Sequence, residues 1–324
     1  MKIKIKKFLK ENLKPIIILL IFMFVVNYEL PYYVSAPGGT INLSERMDGD
    51  YDKKRGSLNM LYVTEYRGNV VTLLLGKLFK NWDIYEISNQ QISNEDSEDI
   101  YLRNRVMLDN SIQSAIFVAY KYAGKEINVK GRENLVIATT KENGIEIGDN
   151  VLAVNGVKFE EISNIKELLA TNDAGDNVKL DIIRDGKEKE INITLDEDKL
   201  LGVVIITNYI YDVSSDIDFN FRSGEGGSSG GLILSLGVYS EITGIDLLKG
   251  RNIAGTGTID INGNVGEIDG IKYKIAGAVK KKMDVILVAS GNFEEAKNVV
   301  AENNYDIELV EIKTFKDAVD YLVG

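Results

Sequence analysis

Gly224-Glu-Gly-Gly-Ser228-Ser229-Gly-Gly231-Leu232 runs directly into Ile-Leu-Ser-Leu-Gly-Val-Tyr239, an apolar stretch that reads as a helix over Gly230–Tyr239. A loop so rich in Gly and Ser is often a flexible linker. A Ser at a helix start is most often an N-cap. The same placement also suits a nucleophile. Exposed backbone N–H groups and the positive end of a helix stabilise developing negative charge. Glycines let a substrate backbone come close. A phosphate-binding loop is excluded, because no Gly-Lys pair in the chain has a Gly five residues before its own Gly. The usual site for ATP hydrolysis is therefore missing.

A serine nucleophile needs a base. The 324 residues contain no His and no Cys. That excludes a Ser-His-Asp triad, His-ligated zinc, thiolate nucleophiles and disulfides. A Lys with a lowered pKa is then the leading base. Gly263-Asn-Val-Gly-Glu-Ile-Asp-Gly270-Ile-Lys272-Tyr-Lys274-Ile-Ala-Gly-Ala278 offers two lysines at the opening of a helix. At 100° per residue, Ile271, Ile275 and Ala278 share a stripe, with Lys274 about 60° and Lys272 about 100° from Ile271. Periodicity only mildly favours Lys274, and both could be solvated surface lysines.

The composition, 44% hydrophobic and 27% charged, is that of a folded chain, and the length predicts more than one domain. Residues 1–14 hold six Lys and one Glu; with +5 there and −11 overall, the rest carries −16. So acidic a body speaks against nucleic acid as a partner. Pro15-Ile-Ile-Ile-Leu-Leu-Ile-Phe-Met-Phe-Val-Val26 has no charge. Extended to residue 34 it reaches the roughly 20 residues of a spanning helix, with Tyr28, Tyr32 and Tyr33 at the far interface. Lysine clusters stay cytoplasmic, so the body is expected outside the cell. A cleaved signal peptide is the rival reading, with small residues at Val34-Ser35-Ala36. Pro37 would follow that cut directly and hinder it, so an anchor is preferred.

Residues 35–54 read as a Gly- and Asp-rich connector. Asp48, Asp50 and Asp52 resemble the start of a calcium loop, but Lys53 and Asn59 occupy the positions needing Gly and Glu. Together with Glu95–Asp99, they read as solvated acidic loops. Leu58–Leu75 reads as two strands about Arg67-Gly68-Asn69. Apolar residues at 108, 112, 115, 116 and 119 predict a helix over Arg105–Tyr122. Beyond residue 250 helix and strand alternate: strands at Ile253–Ile261, Val285–Ala289 and Ile307–Ile312; helices at Ile271–Lys282, Glu294–Glu302 and Phe315–Val323. This predicts α/β or α+β packing. Between them, Leu135–Ala138 predicts a strand, Ile145–Gly156 a turn and a strand ending in an Asn-Gly hairpin, and Ile162–Ala170 a helix. Val178–Ile183 and Glu190–Leu195 predict strands paired across Arg184-Asp-Gly. Ile147-Gly-Asp-Asn-Val151-Leu-Ala-Val-Asn-Gly156 and Arg184-Asp-Gly-Lys187 resemble a PDZ domain, a family that binds extended peptides by strand addition. Gly131-Arg-Glu-Asn-Leu135 is a poor match to that family's carboxylate-binding loop.

Gly227-Ser-Ser229-Gly-Gly231-Leu resembles the nucleophile motif of Lon-type Ser-Lys proteases. Ile253-Ala-Gly-Thr256 through Gly263-Asn-Val-Gly-Glu-Ile-Asp-Gly270-Ile-Lys-Tyr-Lys274 is similar to that family's segment ending in the catalytic lysine. Met107-Leu-Asp-Asn-Ser111-Ile-Gln-Ser-Ala115 resembles one of its helices. Leu30-Pro-Tyr-Tyr33 with Pro37-Gly38 resembles the juxtamembrane stretch of the membrane-anchored, PDZ-containing Lon-like endopeptidases of bacteria. The resemblance implies Ser229 as nucleophile and Lys274 as base, with Thr256 supporting the lysine and Gly227 and Gly230 shaping the loop. Ser228 and Gly230 stand where the family has Pro and Ala, which loosens the loop and leaves Ser228 as a rival attacker. Glu267 and Asp269 replace Pro and Gly, and a carboxylate beside the lysine would weaken it as a base.

The implied architecture is an α/β (α+β) Lon-type protease domain with an inserted PDZ-like module, preceded by one N-terminal transmembrane helix. Its segments are a basic tail (1–14), an anchor (15–34), the connector (35–54), the first part of the protease body (55–125), the PDZ-like module (126–199) and the catalytic part (200–324). The implied function is an ATP-independent, cofactor-free serine endopeptidase of the cell membrane. It would cleave extended or unfolded secreted peptides or membrane and extracellular proteins, with homo-oligomerisation left open. The alternative is a weak or inactive PDZ scaffold on the same fold.

Overall fold

A computed structural model describes residues 10–49, 56–86, 95, 97–140, 143–159, 161–214 and 217–324. Most of the basic tail (1–9), with Asp50, Asp52, Lys53 and Asp96 of the acidic loops, lies outside the described residues.

The apolar run forms helix α1 (Leu13–Asn27), none of whose residues is buried. The expected span over 15–34 does not form. Fifteen residues give about 22 Å of helix at 1.5 Å each, short of a hydrocarbon core of about 30 Å. Among the described residues no helix is long and apolar enough to cross a membrane. The helix stops because the chain finds partners beyond it. The Leu30 N–H donates to the Gly68 carbonyl at 2.7 Å, and Tyr32 and Tyr33 enter strand β1 (Tyr32–Asn42).

That strand also corrects the connector. Residues 35–42 lie in a sheet, paired with β2 (Ser57–Arg67), while past helix α2 (Val70–Leu78) the short β3 (Asp83–Glu86) pairs with Tyr32–Ser35 on the other side. The glycines that suggest a loop instead permit a bulge between Pro37 and Gly39. A Cβ on Gly38 would stand 2.3 Å from the Tyr62 carbonyl oxygen. Helix α2 corrects the second strand expected before Leu75. Asn69 caps it, accepting from the Thr72 N–H while the Thr72 hydroxyl accepts from the Asn69 N–H. This capping box overrides the strand preference of Val70-Val-Thr.

Helix α3 (Ser97–Tyr122) begins earlier than its apolar stripe predicts. Next comes a second sheet: β4 (Ile127–Thr139), β5 (Asn150–Val154), β6 (Val157–Lys158), helix α4 (Asn164–Leu169), β7 (Asn177–Arg184), β8 (Lys187–Thr194) and β9 (Val203–Val213). Its order is β8-β7-β5-β4-β9, with β6 on β5. Both expected hairpins form, with positive φ at Asn155 and Gly156 and at Asp185 and Gly186. The module closes over its own core, including Val136, Ile145, Val178, Leu180 and Ile193. The sheet runs past residue 199, since β9 pairs with β4 along its whole length.

The chain then returns to the first sheet through α5 (Gly231–Thr243), β10 (Asn252–Thr256), the short β11 (Thr258–Ile259) and β12 (Val265–Gly266), α6 (Ile271–Lys280), β13 (Val285–Ala289), α7 (Ser290–Asn303), β14 (Glu308–Ile312) and α8 (Phe315–Val323). The first sheet reads β14-β13-β10-β2-β1-β3, parallel from β14 to β2 and antiparallel beyond. It therefore takes strands from both sides of the second sheet. Helix α5 is apolar on every side and fully buried at Leu232, Ile233, Leu234 and Leu236.

Gly38→Ala is expected to cost about 1–3 kcal/mol, since its Cβ would meet main chain rather than a movable side-chain tip. Gly131→Ala, with open space at its Cβ, should change the urea midpoint little. Equal midpoints for the two variants would mean that the β1 bulge does not form.

Candidate active site

Three elements converge on a cleft of about 1120 Å³ lined by Ser229, Gly230, Lys274, Asp269, Tyr273 and the β2 residues Met60–Val63, among others. The loop before α5 supplies Ser229 and the first turns of α6 supply Lys274, while the end of β10 places Thr256, fully buried, against the lysine.

The loop is held from three directions. Helix α3 accepts the Gly227 N–H on the Asn104 carbonyl at 2.8 Å, and the Ser111 hydroxyl reaches the Ser228 carbonyl at 3.3 Å. Gly257, just past β10, donates to the Ser229 carbonyl at 2.9 Å and accepts from the Leu232 N–H at 3.1 Å. Glu225 is gripped by both ends of the buried Arg46 guanidinium at 2.7 Å. That pairing holds the carboxyl of Glu225 below the usual carboxylate range. Gly227 takes φ +91°, a left-handed turn that suits glycine, just before the serines. Ser229 lines the cleft and Ser228 does not.

The two lysines part company. Lys272 pairs with Asp83 of β3 at the surface. Lys274 is 4% exposed, beside the fully buried stripe of Ile271, Ile275 and Ala278 that the spacing predicts. Burial lowers its ammonium from 10.5 to about 8, against an upward pull from Asp269. Glu267 is exposed and stands against Gly291 at the start of α7, so only Asp269 of the two departing carboxylates lines the cleft.

Lys274 Nζ donates to Thr256 Oγ1 at 3.1 Å. The Thr256 hydroxyl spends its one proton on the Ser229 carbonyl at 3.3 Å, which leaves a lone pair aimed at the lysine. Ser229 and Lys274 are thus linked through Thr256 rather than by a direct bond between their side chains. The N–H groups of Ser229 and Gly230 donate to no protein acceptor among the described residues.

The sequence reading missed the supports that come from afar. Arg46 lies 179 residues before Glu225. Tyr273 donates to Asp83 at 2.5 Å and shares a 2.7 Å bond with Tyr85, tying the first turn of α6 to β3. No local pattern announces either contact.

Residues 220–324 match the Lon protease (S16) C-terminal proteolytic domain, and residues 136–195 match the PDZ domain. The Lon protease of Campylobacter jejuni is 28% identical over 203 residues, 60% of this chain and 25% of that protein. The Lon protease of Neorickettsia sennetsu is 23% identical over 220 residues, 66% of this chain and 25% of that protein. The chain thus spans about a quarter of the length of these curated relatives. Among solved structures, the PDZ domain of an SdrC-like protein from Listeria monocytogenes aligns with a TM-score of 0.21 at 17% identity, over 23% of this chain and 87% of that one. The corresponding domain from Listeria innocua gives 0.21 at 18%, over 22% and 92%. Residues 220–324 are thus similar to a Lon-type proteolytic domain, and residues 136–195, before them, to a PDZ domain.

A buried lysine of lowered pKa costs stability. Between pH 8 and 10.5 the unfolded chain binds the proton that the folded one sheds, so the Lys274 penalty is largest below pH 8 and fades as pH rises. Lys274→Met should accordingly raise stability at pH 7 by up to about 3 kcal/mol and gain little near pH 10. Urea titrations at the two pH values test this, and destabilisation at pH 7 would overturn it.

Proposed function

We propose that this protein is an ATP-independent endopeptidase in which Ser229 is the nucleophile and Lys274 the general base. The observation that carries the reading is Lys274 itself, buried in the cleft of Ser229 with an ammonium lowered to about 8. Neutral Lys274 takes the Ser229 Oγ proton, and the alkoxide attacks a peptide carbonyl carbon. The Ser229 and Gly230 N–H groups, at the start of the 13-residue α5, receive the oxyanion. Lys274 passes its proton to the departing amine. Water then attacks the ester carbonyl while giving a proton to Lys274, the bond to Ser229 Oγ breaks to release the new carboxyl end, and Lys274 returns the proton to Oγ.

The substrate fits as an extended segment. Strand β2 pairs with β10 only from Ser57 to Met60. Beyond that, Leu61–Arg67 pairs with β1 alone among the described residues, leaving its other edge along the cleft for strand addition. The PDZ domain joins the protease body as an insertion, with the body made of residues before β4 and after β9. The unburied apolar helix α1 supports attachment to a membrane. The basic tail beside α1 suits the anionic surface of that membrane.

Ser229→Ala should abolish cleavage of unfolded protein substrates, and a serine-reactive boronate or phosphonate should label Ser229 and no other residue. Equal cleavage by both proteins would end the dyad assignment. Absence of label together with absence of cleavage would favour the scaffold alternative.

Asp269→Asn removes the upward pull on Lys274. The acidic limb of kcat/KM against pH, set by loss of the Lys274 proton near pH 8, should move to lower pH by a few tenths to about one unit, a screened-charge effect. An unmoved limb would exclude Lys274 as the titrating base.

A further inference from the structure

Helix α2 leaves an apolar face bare. At 100° per residue, Val70, Val71, Leu74 and Leu78 fall within a stripe of about 100°. Leu74 is 63% and Leu78 76% exposed, high values for side chains of this size. The opposite face is pressed onto the sheet, where a Cβ on Gly76 would meet Ile84 at 2.8 Å. The stripe continues into an aromatic cluster. Trp82 stacks on Tyr66 at 5.8 Å and packs on Phe79 at 5.5 Å. Lys77 and Lys80 border it.

What covers this face follows from its neighbour. Helix α1 is apolar all round, with no buried residue, and the two helices touch. One residue past Gly68, where Leu30 is tied, Asn69 caps α2. Three residues run from the end of α1 to Leu30 and two from Gly68 to the start of α2, so a bilayer that takes up α1 has its surface at most about 20 Å from the start of α2, and the contact between the helices draws it closer. Trp and Tyr prefer that depth, and lysines beside it meet anionic headgroups.

We propose that the exposed face of α2, with Phe79 and Trp82, lies in the interfacial layer of the lipid bilayer that holds α1, so that the cleft opens at the membrane surface. The proposal rests on the anchoring read from α1. Four residues separate α2 from β3, whose Tyr85 lines the cleft and bonds Tyr273 next to Lys274. The lipid-facing helix and one wall of the cleft are thus two ends of one unit. The substrates this favours are extended segments of polypeptides held close to the membrane.

Trp82 is the only tryptophan in the chain, so its fluorescence reports on this face alone. The full chain is reconstituted into vesicles of phosphatidylethanolamine and phosphatidylglycerol, with plain or brominated acyl chains. Brominated lipid should quench at least about half of the Trp82 emission, as for an interfacial tryptophan. The variant L74D/L78D should still float with the vesicles through α1 yet lose most of that quenching. Moving the probe onto the helix, with W82F and L78W combined, should restore strong quenching. A chain that floats with Trp82 unquenched overturns the α2 proposal and leaves the anchor standing. A chain that does not float overturns the anchor as well. Equal quenching in L74D/L78D, or conversion by that variant of a dimer to a monomer with no lipid quenching, overturns the proposal in favour of α1 proximity or of a second copy.

Discussion

The bond from Lys274 Nζ to Thr256 Oγ1 joins the start of a helix to the end of a buried parallel strand, and much of the molecule serves to keep it dry. Thr256 is fully buried because β10 is flanked by β2 and β13 and covered by α5 and α6. Lys274 is buried because Ile271, Ile275 and Ala278 draw its helix down onto the sheet. Neither the strand nor the helix makes a base by itself. The low pKa exists only where the two meet, since desolvation is its largest cause.

Helix α3 carries the second constraint. Asn104 and Ser111, seven residues apart and so on one face, hold the loop of Ser229. From another face, Asn110 donates to the Thr207 carbonyl at 2.8 Å, and the Gln113 carbonyl accepts the Tyr211 hydroxyl at 2.7 Å. The strand they grip, β9, belongs to the sheet of the PDZ domain. The loop of Ser229 and the second sheet are therefore ordered by a single element, which lies before that sheet in the chain yet packs beside α5 in space.

The two ends of the chain differ in how much their residues reveal. From Val285 to Val323 the strands and helices follow the periodicity to within a few residues, because each element has one buried face and alternation of type is unambiguous. The PDZ hairpins are legible for the same local reason, positive φ at Asn-Gly and Asp-Gly. Between residues 28 and 86 the reading fails three times. Gly38-Gly39 suggests a loop, although the glycines are there for close approach to Tyr62. Val70-Val-Thr suggests a strand, although Asn69 and Thr72 cap a helix. The tyrosines at 32 and 33 suggest a membrane edge, although they pair with Arg67, Tyr85 and Glu86 across a sheet. In each case a partner distant in sequence decides, and such partners leave no local period. Ser229 and the lysines were legible as candidate residues by type and spacing, but periodicity left Lys272 and Lys274 open. Asp83, from a strand that no pattern linked to α6, takes Lys272 to the surface.

The acidity of the chain raises a final point of balance. A net charge of −11 favours protonated lysines everywhere, and the lowered pKa of Lys274 stands against that field. The field is long-ranged and screened over about 8–10 Å in salt, so carboxylates scattered over the PDZ domain and the outer helices count for little at Lys274. Desolvation acts at the atom and is not screened. It therefore prevails over Asp269, the one carboxylate with a resolved influence on the lysine. Overall charge governs what the protein repels, and local dryness governs what Lys274 can do. An acidic exterior and a basic interior site are compatible because the two effects have different ranges.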